Sequence, residues 1–267
     1  MLSALALAYI RHCPIEIGKW RVSRFLDSRL TERFATVRTA DGFLMNLDTH
    51  DFIQRTIFTS GRWDKEVAAA VRAHLKRDSV FVDVGANVGY FSLLAAAHCT
   101  QVVSFEPNPF CVSQLRSNIE LNRFQNIDVR PIGLSDCRGT GTLHVSGGGT
   151  NVGAGTLNRV TGTAIPIQLE TLDDQLQQTS PSLIKIDVEG AELQVLRGAA
   201  RILHHDAPDV ICEVSEYSLR RLGSSKDELY EFMTSNGYNR EIVSPIRRSN
   251  ATKASVDFQY DVVFARK

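Results

Sequence analysis

The sequence predicts an α/β fold built on a doubly wound, mostly parallel sheet. Three features carry that expectation. From Ser79 onward, short strand patterns alternate with helical ones. The strand segments, such as "SVFVDVG" and "SLIKIDVEG", are nearly continuous in apolar residues, which marks strands covered on both faces. The first of them runs into "GANVG" and then a helical pattern, and in open α/β sheets ligands gather at such strand carboxyl ends.

Before the alternation lies a lead-in. "FATVRTADGFLMNLD" reads as two strands joined by a turn at Asp41-Gly42, a hairpin signal. "DKEVAAAVRAHL" has an acidic start and apolar residues at helical spacing, with Asp64 as its N-cap. The N-terminal "MLSALALAYI" is apolar only from Leu2 to Ile10, too short to span a bilayer, and is read as the start of a helix. Residues 1–50 are thus expected to form an extension of helix and hairpin, and residues 51–267 the main domain.

The alternating elements follow in order. "QVVSFEP" is a strand, and "NPFCVSQLRSNIELN" a helix opened by Asn-Pro. "IDVRPIGLS" is a strand, followed by a polar, glycine-rich interruption that includes "SGGGTNVGAG" and the strand-like "TAIPIQLE". "AELQVLRGAARILHH" is expected as one helix, "DVICEVSE" as a strand, "SKDELYEFMTSNG" as a helix and "DFQYDVVFARK" as the closing strand.

Composition narrows the partners. Lys plus Arg (30) balance Asp plus Glu (30), so net charge gives no reason to expect nucleic acid or a membrane surface. Five scattered cysteines without a C-x-x-C pair speak against a disulfide framework or zinc site and suit a reducing, cytoplasmic setting. No transmembrane segment is expected.

In "FVDVGANVGYFSL", Gly85 and Gly89 let the backbone turn sharply and approach a ligand, while Asp83 and Asn87 stand beside the turn. The next strand ends at Glu106, where a carboxylate can accept both hydroxyls of a ribose. Together they point to a nucleoside cofactor. A nicotinamide dinucleotide asks for G-x-G-x-x-G. Here Asn87 replaces the middle glycine and Asp83 places an anion near the pyrophosphate position. An acid there suits the cationic amino acid end of S-adenosyl-L-methionine better. A nicotinamide-dependent oxidoreductase and a non-catalytic nucleoside-binding module remain the alternatives.

The segments "FVDVGANVGYFSLLAA", "SFEPNP", "IGLSD", "TNVGAGTL" and "LIKIDVEGAELQVLRGA" occur in that order. With them the chain resembles the FkbM family of S-adenosylmethionine-dependent methyltransferases, within the Rossmann-like class I fold. The resemblance runs from about residue 50 to 240. It implies a seven-stranded sheet, S-adenosyl-L-methionine as cofactor and O-methylation of a hydroxyl on a small-molecule or carbohydrate-like acceptor. It also implies that Asp83, Gly85, Asn87 and Gly89 lie against the methionine part, that Glu106 with Asn108 nearby holds the ribose, and that Leu134, Ser135 and Asp136 sit near the adenine.

Methyl transfer needs an aligned acceptor oxygen and a group to take its proton. "KIDVEGAE" puts Lys185, Asp187 and Glu189 at the ligand-binding edge, and Glu213 ends the next strand. Asp187, Glu189 and Glu213 are therefore the candidate catalytic residues. Alternation sends Lys185 and Asp187 the same way, so an ion pair between them is equally expected, and Asp187 can also cap the following helix. Glu192 is read as exposed or capping. Asp187 and Glu213 lack a third partner for a divalent cation, and no metal is assigned. The tract around Asn151 is read as a lid or a hairpin tip. Phe52, Phe58 and Trp63 are read as packing of the lead-in or a roof over the site.

Overall fold

The computed structural model describes Tyr9 and residues 33–146, 162–243, 247–248 and 258–266. The expected N-terminal helix and the Asn151 tract lie outside the described residues.

The hairpin forms as expected. β1 (Phe34–Arg38) pairs antiparallel with β2 (Leu44–Asp48) in the register Phe34 to Asp48. Two helices follow, α1 (Phe52–Ser60) and α2 (Lys65–His74). Asp64 caps α2 by accepting from the Val67 amide, but α1 was not anticipated. Its start is an Asp51 cap that accepts from the Gln54 amide, and its apolar face packs Ile57 into the core.

The alternating region gives β3 (Val80–Val84), α3 (Tyr90–Ala96), β4 (Gln101–Phe105), α4 (Pro109–Asn122) and β5 (Ile127–Arg130). The strand expected through Ser135 stops at Arg130, before Pro131. The chain resumes as β6 (Gly133–Leu134), which pairs with β8 (Gly162–Glu170). β7 (Gly139–Ser146) pairs antiparallel with β8, so the polar interruption is a small three-stranded sheet.

A short α5 (Leu172–Gln175) leads to β9 (Leu183–Ile186). The single helix expected over 191–205 is two, α6 (Glu192–Arg197) and α7 (Ala200–His205). They part at Gly198, where a β-carbon would stand 2.1 Å from the Ser135 carbonyl oxygen. The missing β-carbon lets another backbone pack onto the junction of the two helices, a contact invisible in the local pattern. β10 (Asp209–Ser215), an unanticipated α8 (Glu216–Arg221), α9 (Lys226–Ser235), β11 (Asn239–Ile242), β12 (Arg247–Arg248) and β13 (Phe258–Ala265) complete the chain.

The main sheet has the order β11-β13-β10-β9-β3-β4-β5, with β12 attached to β13. Pairings from β10 through β5 are parallel, and β13 runs antiparallel to both neighbours. This is the doubly wound, mostly parallel arrangement expected; its seven-strand path is joined by the two-residue β12, an eighth strand not expected.

Alternation along each strand splits the core in two. Val82, Ile184, Val210 and Phe264 pack on one face with Leu193, Ile202 and Met233 from the helices. Phe81, Leu183, Ile211 and Val263 pack on the other with Val67, Val71 and Leu94. Met45 and Leu47 of the hairpin join this second core. Helix α4 completes the hairpin's backbone pairing. Asn122 Oδ1 accepts from the Leu44 amide and Asn118 Oδ1 from the Asn46 amide, while Asn118 Nδ2 donates to the Val88 carbonyl in the glycine loop.

Candidate active site

A cavity of about 800 Å³ opens at the carboxyl ends of β3, β4, β9 and β10. Strand order divides it. The glycine loop after β3 and the end of β4 form one half, and β9, β10 and β13 form the other.

In the first half the chain leaves β3 through Gly85, Asn87 and Gly89, all with positive φ (80°, 50° and 95°). At Gly85 a β-carbon would lie 1.9 Å from the Asp187 carbonyl oxygen, so the loop presses against the end of β9. Glu106 closes the turn from the side. Its two carboxylate oxygens accept from the Asn87 amide at 2.8 Å and the Asn108 amide at 2.9 Å. Burial pushes Glu106 up to about 7 against the pull of those two hydrogen bonds. Asn108 turns its own side chain to the Phe110 amide and caps α4. The buried Oδ1 of Asn87, a residue of the cavity lining, has no hydrogen-bond partner within the protein.

Asp83 is fully buried and does not line the cavity. Its Oδ2 accepts from the Ser92 hydroxyl at 2.6 Å, which in turn pairs with Ser104. Burial raises its pKa, opposed by the charge of Lys185. Gly89, also expected against the donor, stands outside the cavity lining, where it is the N-cap of α3 and faces Leu115. Of the three residues expected at the adenine, Leu134 lines the cavity, together with Ile132, Leu143 and Ile167. Ser135 and Asp136 stand outside the lining. The Ser135 amide is used by the Glu170 carbonyl and its hydroxyl by Asp136, which is exposed.

The second half gathers carboxylates. Asp187 follows β9 and pairs with Lys185 Nζ at 3.1 Å, the ion pair that alternation predicts. Lys185 is buried, with Nζ 4.8 Å from the Phe91 ring centroid. Burial pulls its pKa down, but Asp187 and Asp83 hold it above the ordinary lysine value. Glu189 sits in the loop at φ 53°, and burial, then Asp187 and Glu192, push it to about 7. Glu213 accepts from Gln259 Nε2. Burial and the charges of Asp187, Glu189 and Asp261 raise it well above the carboxylate range.

Glu192 is neither exposed nor in the cavity lining. It is 2% exposed, and its Oε1 accepts from the Val188 and Gly190 amides at 3.2 and 3.0 Å, fastening the loop that carries Glu189.

Several lining residues had no sequence signal. Asp261 and Gln259 enter from β13, and only the antiparallel register that sets Asp261 against Glu213 reveals them. Helix α1 adds Arg55 and Thr56, also without a signal, whereas Phe52 and Trp63 line the cavity as the roof reading expects. Phe58 packs instead with the core beneath α1. Among the described residues no group of three or more His, Cys, Asp or Glu is placed to hold a metal ion.

A Rossmann-like sheet in this strand order, with a glycine loop and an acid at successive strand ends, defines the class I methyltransferase architecture. The fold recurs in Trm5b from Pyrococcus abyssi, at a TM-score of 0.51 and 16% identity over 88% of this chain and 56% of that one. The methyltransferase FkbM domain matches residues 83–240. The chain belongs to the FkbM methyltransferase family, whose methyl donor is S-adenosylmethionine. It is similar to methyltransferase sdnD of Sordaria araneosa, at 31% identity across 55% of this chain and 68% of that protein. It is also similar to the hexuronic acid methyltransferase AglP of Haloferax volcanii, at 29% identity across 53% and 59%. The chain thus spans little more than half of AglP. The nicotinamide alternative falls with the family match. No helix among the described residues is long and apolar enough to cross a membrane.

The site fits the donor. The open loop leaves backbone at the cavity wall, the buried Asn87 oxygen lacks a donor, and the Glu106 oxygens each keep acceptor capacity beyond one amide.

Proposed function

We propose that the protein O-methylates a hydroxyl of a small-molecule or carbohydrate-like acceptor. The donor is held over β3 and β4, and the acceptor over β9, β10 and β13. One observation carries this reading: three acids of the "IDVEG" and "VICE" segments, Asp187, Glu189 and Glu213, line the same cavity as the glycine loop and Glu106. That AglP is named for hexuronic acid supports a carbohydrate-like acceptor.

When bound, S-adenosylmethionine supplies a methyl group on a sulfonium, activated for in-line transfer to oxygen. The chain's own residues do the rest. Glu106 accepts hydrogen bonds from the ribose hydroxyls, and Asn87 Oδ1 accepts from the donor's polar groups. Gly85 and Gly89 keep the loop open, and Asp83 braces it from below through Ser92. Leu134 and Ile132 provide an apolar seat for the base, which the small sheet's Leu143 and Ile167 extend. Asp187, oriented by Lys185, and Glu213, oriented by Gln259, align the acceptor hydroxyl. Glu189, at about 7, is tuned to take the hydroxyl proton near neutral pH.

A labelled-methyl screen against cell extracts, with identification of the product, finds the acceptor. With it in hand, Glu189→Gln and Asp187→Asn are each expected to lower kcat by about 100-fold or more, while calorimetric affinity for S-adenosylhomocysteine is kept. Wild-type turnover in both variants removes the carboxylates from the chemistry. Failure of S-adenosylhomocysteine to bind the wild type removes the whole reading.

A further inference from the structure

The cavity wall that contains Trp63 and Tyr90 is held from outside, by a residue that does not line it. Asp41 stands in the turn between β1 and β2, yet its side chain is only 1% exposed. The turn takes its positive φ from Gly42 and needs no buried carboxylate beside it. Three donors from three elements converge on Asp41 instead. Tyr90, the first residue of α3, donates its hydroxyl to Oδ2. Arg72 of α2 donates to Oδ1, and Arg62, in the link between α1 and α2, lies 3.3 Å from the same oxygen. Of the three donors Tyr90 is the buried one, and a buried hydrogen bond to a charged group outweighs an exposed ion pair. The Ala40 amide adds a bond to the Gly61 carbonyl at 2.9 Å, so the turn is fastened to the α1–α2 link twice.

This fastening reaches the cavity through two rings, because Tyr90 and Trp63 both line it. The Tyr90 ring packs edge to face against Phe43 of the hairpin and Phe91 of α3, each with centroids 5.4 Å away. Its hydroxyl oxygen also takes a backbone hydrogen bond from Trp63. A hydroxyl has one proton to give and lone pairs to receive. Asp41 takes the proton and so fixes the direction from which the Trp63 amide is met. Burial and the Asp41 carboxylate raise the Tyr90 pKa, which keeps the hydroxyl a donor. Arg62 precedes Trp63 directly, so its pairing with Asp41 steadies the same link.

We infer that Asp41 is a positioning residue for methyl transfer: acting through Tyr90, it sets the Tyr90–Trp63 wall against which the acceptor is held. The inference rests on the methyltransferase reading above and on its assignment of this wall to the acceptor. The family match begins at residue 83, after the hairpin, so the lead-in shapes the acceptor's seat without entering it.

The test uses the full chain in a Trp20→Phe background, which leaves Trp63 as the sole tryptophan. Tyr90→Phe, Asp41→Ala and the double variant are compared there. Tyr90→Phe removes one oxygen and keeps the ring packing, so it reports even where Asp41→Ala fails to fold. With S-adenosylhomocysteine bound, acrylamide quenching of Trp63 fluorescence is expected to increase in Tyr90→Phe. For the acceptor found by the labelled-methyl screen, KM is expected to rise about tenfold with kcat within about twofold, the pattern of lost uniform binding. Affinity for S-adenosylhomocysteine is expected to stay within about twofold, because no donor contact is assigned to either residue. Since Asp41 acts through Tyr90, the double variant is expected to show the KM of Asp41→Ala alone. Unchanged Trp63 quenching in Tyr90→Phe overturns the inference with no acceptor in hand. So does a lowered urea midpoint with acceptor KM unchanged, which makes the Asp41 contacts structural only. Additive KM losses overturn the route through Tyr90. Weakened S-adenosylhomocysteine binding in Tyr90→Phe at unchanged acceptor KM also overturns the inference, because the wall then serves the donor. No binding of S-adenosylhomocysteine by the wild type overturns the methyltransferase reading and the inference with it.

Discussion

The two halves of the cavity that we propose for donor and acceptor are built in different ways. The half proposed for the donor comes mainly from a single βαβ unit, with Gly85, Asn87 and Glu106 all between β3 and the start of α4. The acceptor half is assembled from β9, β10 and β13, with α1 contributing a wall from far back in the chain. Local construction fixes the nucleoside end by backbone geometry. Long-range construction leaves the acceptor end to side chains that can change without disturbing the sheet. The two halves touch at Gly85, whose missing β-carbon makes room for the Asp187 carbonyl oxygen.

That contact is the place to break the comparison. Gly85→Ala puts a methyl 1.9 Å from a backbone oxygen at φ 80°, so one backbone must move. The expected loss is about 3–5 kcal/mol of stability, measured by urea unfolding, with S-adenosylhomocysteine binding lost as well. A variant as stable as the wild type would show that the halves are not packed on one another as described.

The same division explains what was legible in the sequence. Caps and turns that depend on neighbours in the chain could be read: Asp41-Gly42, Asp64 as the cap of α2, and Asn108-Pro109 at the start of α4. The Lys185–Asp187 pair followed from strand period alone. Features set by distant chain could not be read. The packing of Ser135 against Gly198 and the place of Asp261, set by its register against Glu213, are of this kind; Glu192 escaped for a local reason, its side chain folding back onto the amides of its own loop. Ser135 and Asp136 illustrate the converse. They follow a lining residue, Leu134, in sequence, but the turn into the small sheet carries them out of the cavity.

A second variant sharpens the donor half alone. Glu106→Gln keeps a carbonyl oxygen for one of the two amides but offers an amide nitrogen to the other, and it loses the charge toward the ribose. Affinity for S-adenosylhomocysteine is expected to fall by about 1.5–3 kcal/mol. The ranking of acceptors by kcat/KM should be unchanged. Unaltered affinity by calorimetry in the folded variant would remove Glu106 from the ribose contact. A changed acceptor preference would show the halves to be coupled.

The smallest expected effect concerns pH and the loop of the acceptor half. Glu192 titrates near 7 because burial outweighs its hydrogen bonds from Gly190 and Val188. In the unfolded chain it titrates near 4.5. Between those values the folded state binds more protons than the unfolded one, so stability falls as pH rises from about 4.5 to 7. Glu106 and Glu189 add in the same direction. The protein without ligand is therefore expected to be more stable at pH 5.5 than at pH 7.5. Glu192→Gln keeps an oxygen for the Val188 and Gly190 amides and removes the titration. It should flatten the difference by on the order of 1 kcal/mol, read as the change in urea midpoint between the two pH values. A variant that retains the full wild-type difference would place the proton uptake elsewhere. Glu192 would then hold the Glu189 loop as an ion rather than as a neutral acid.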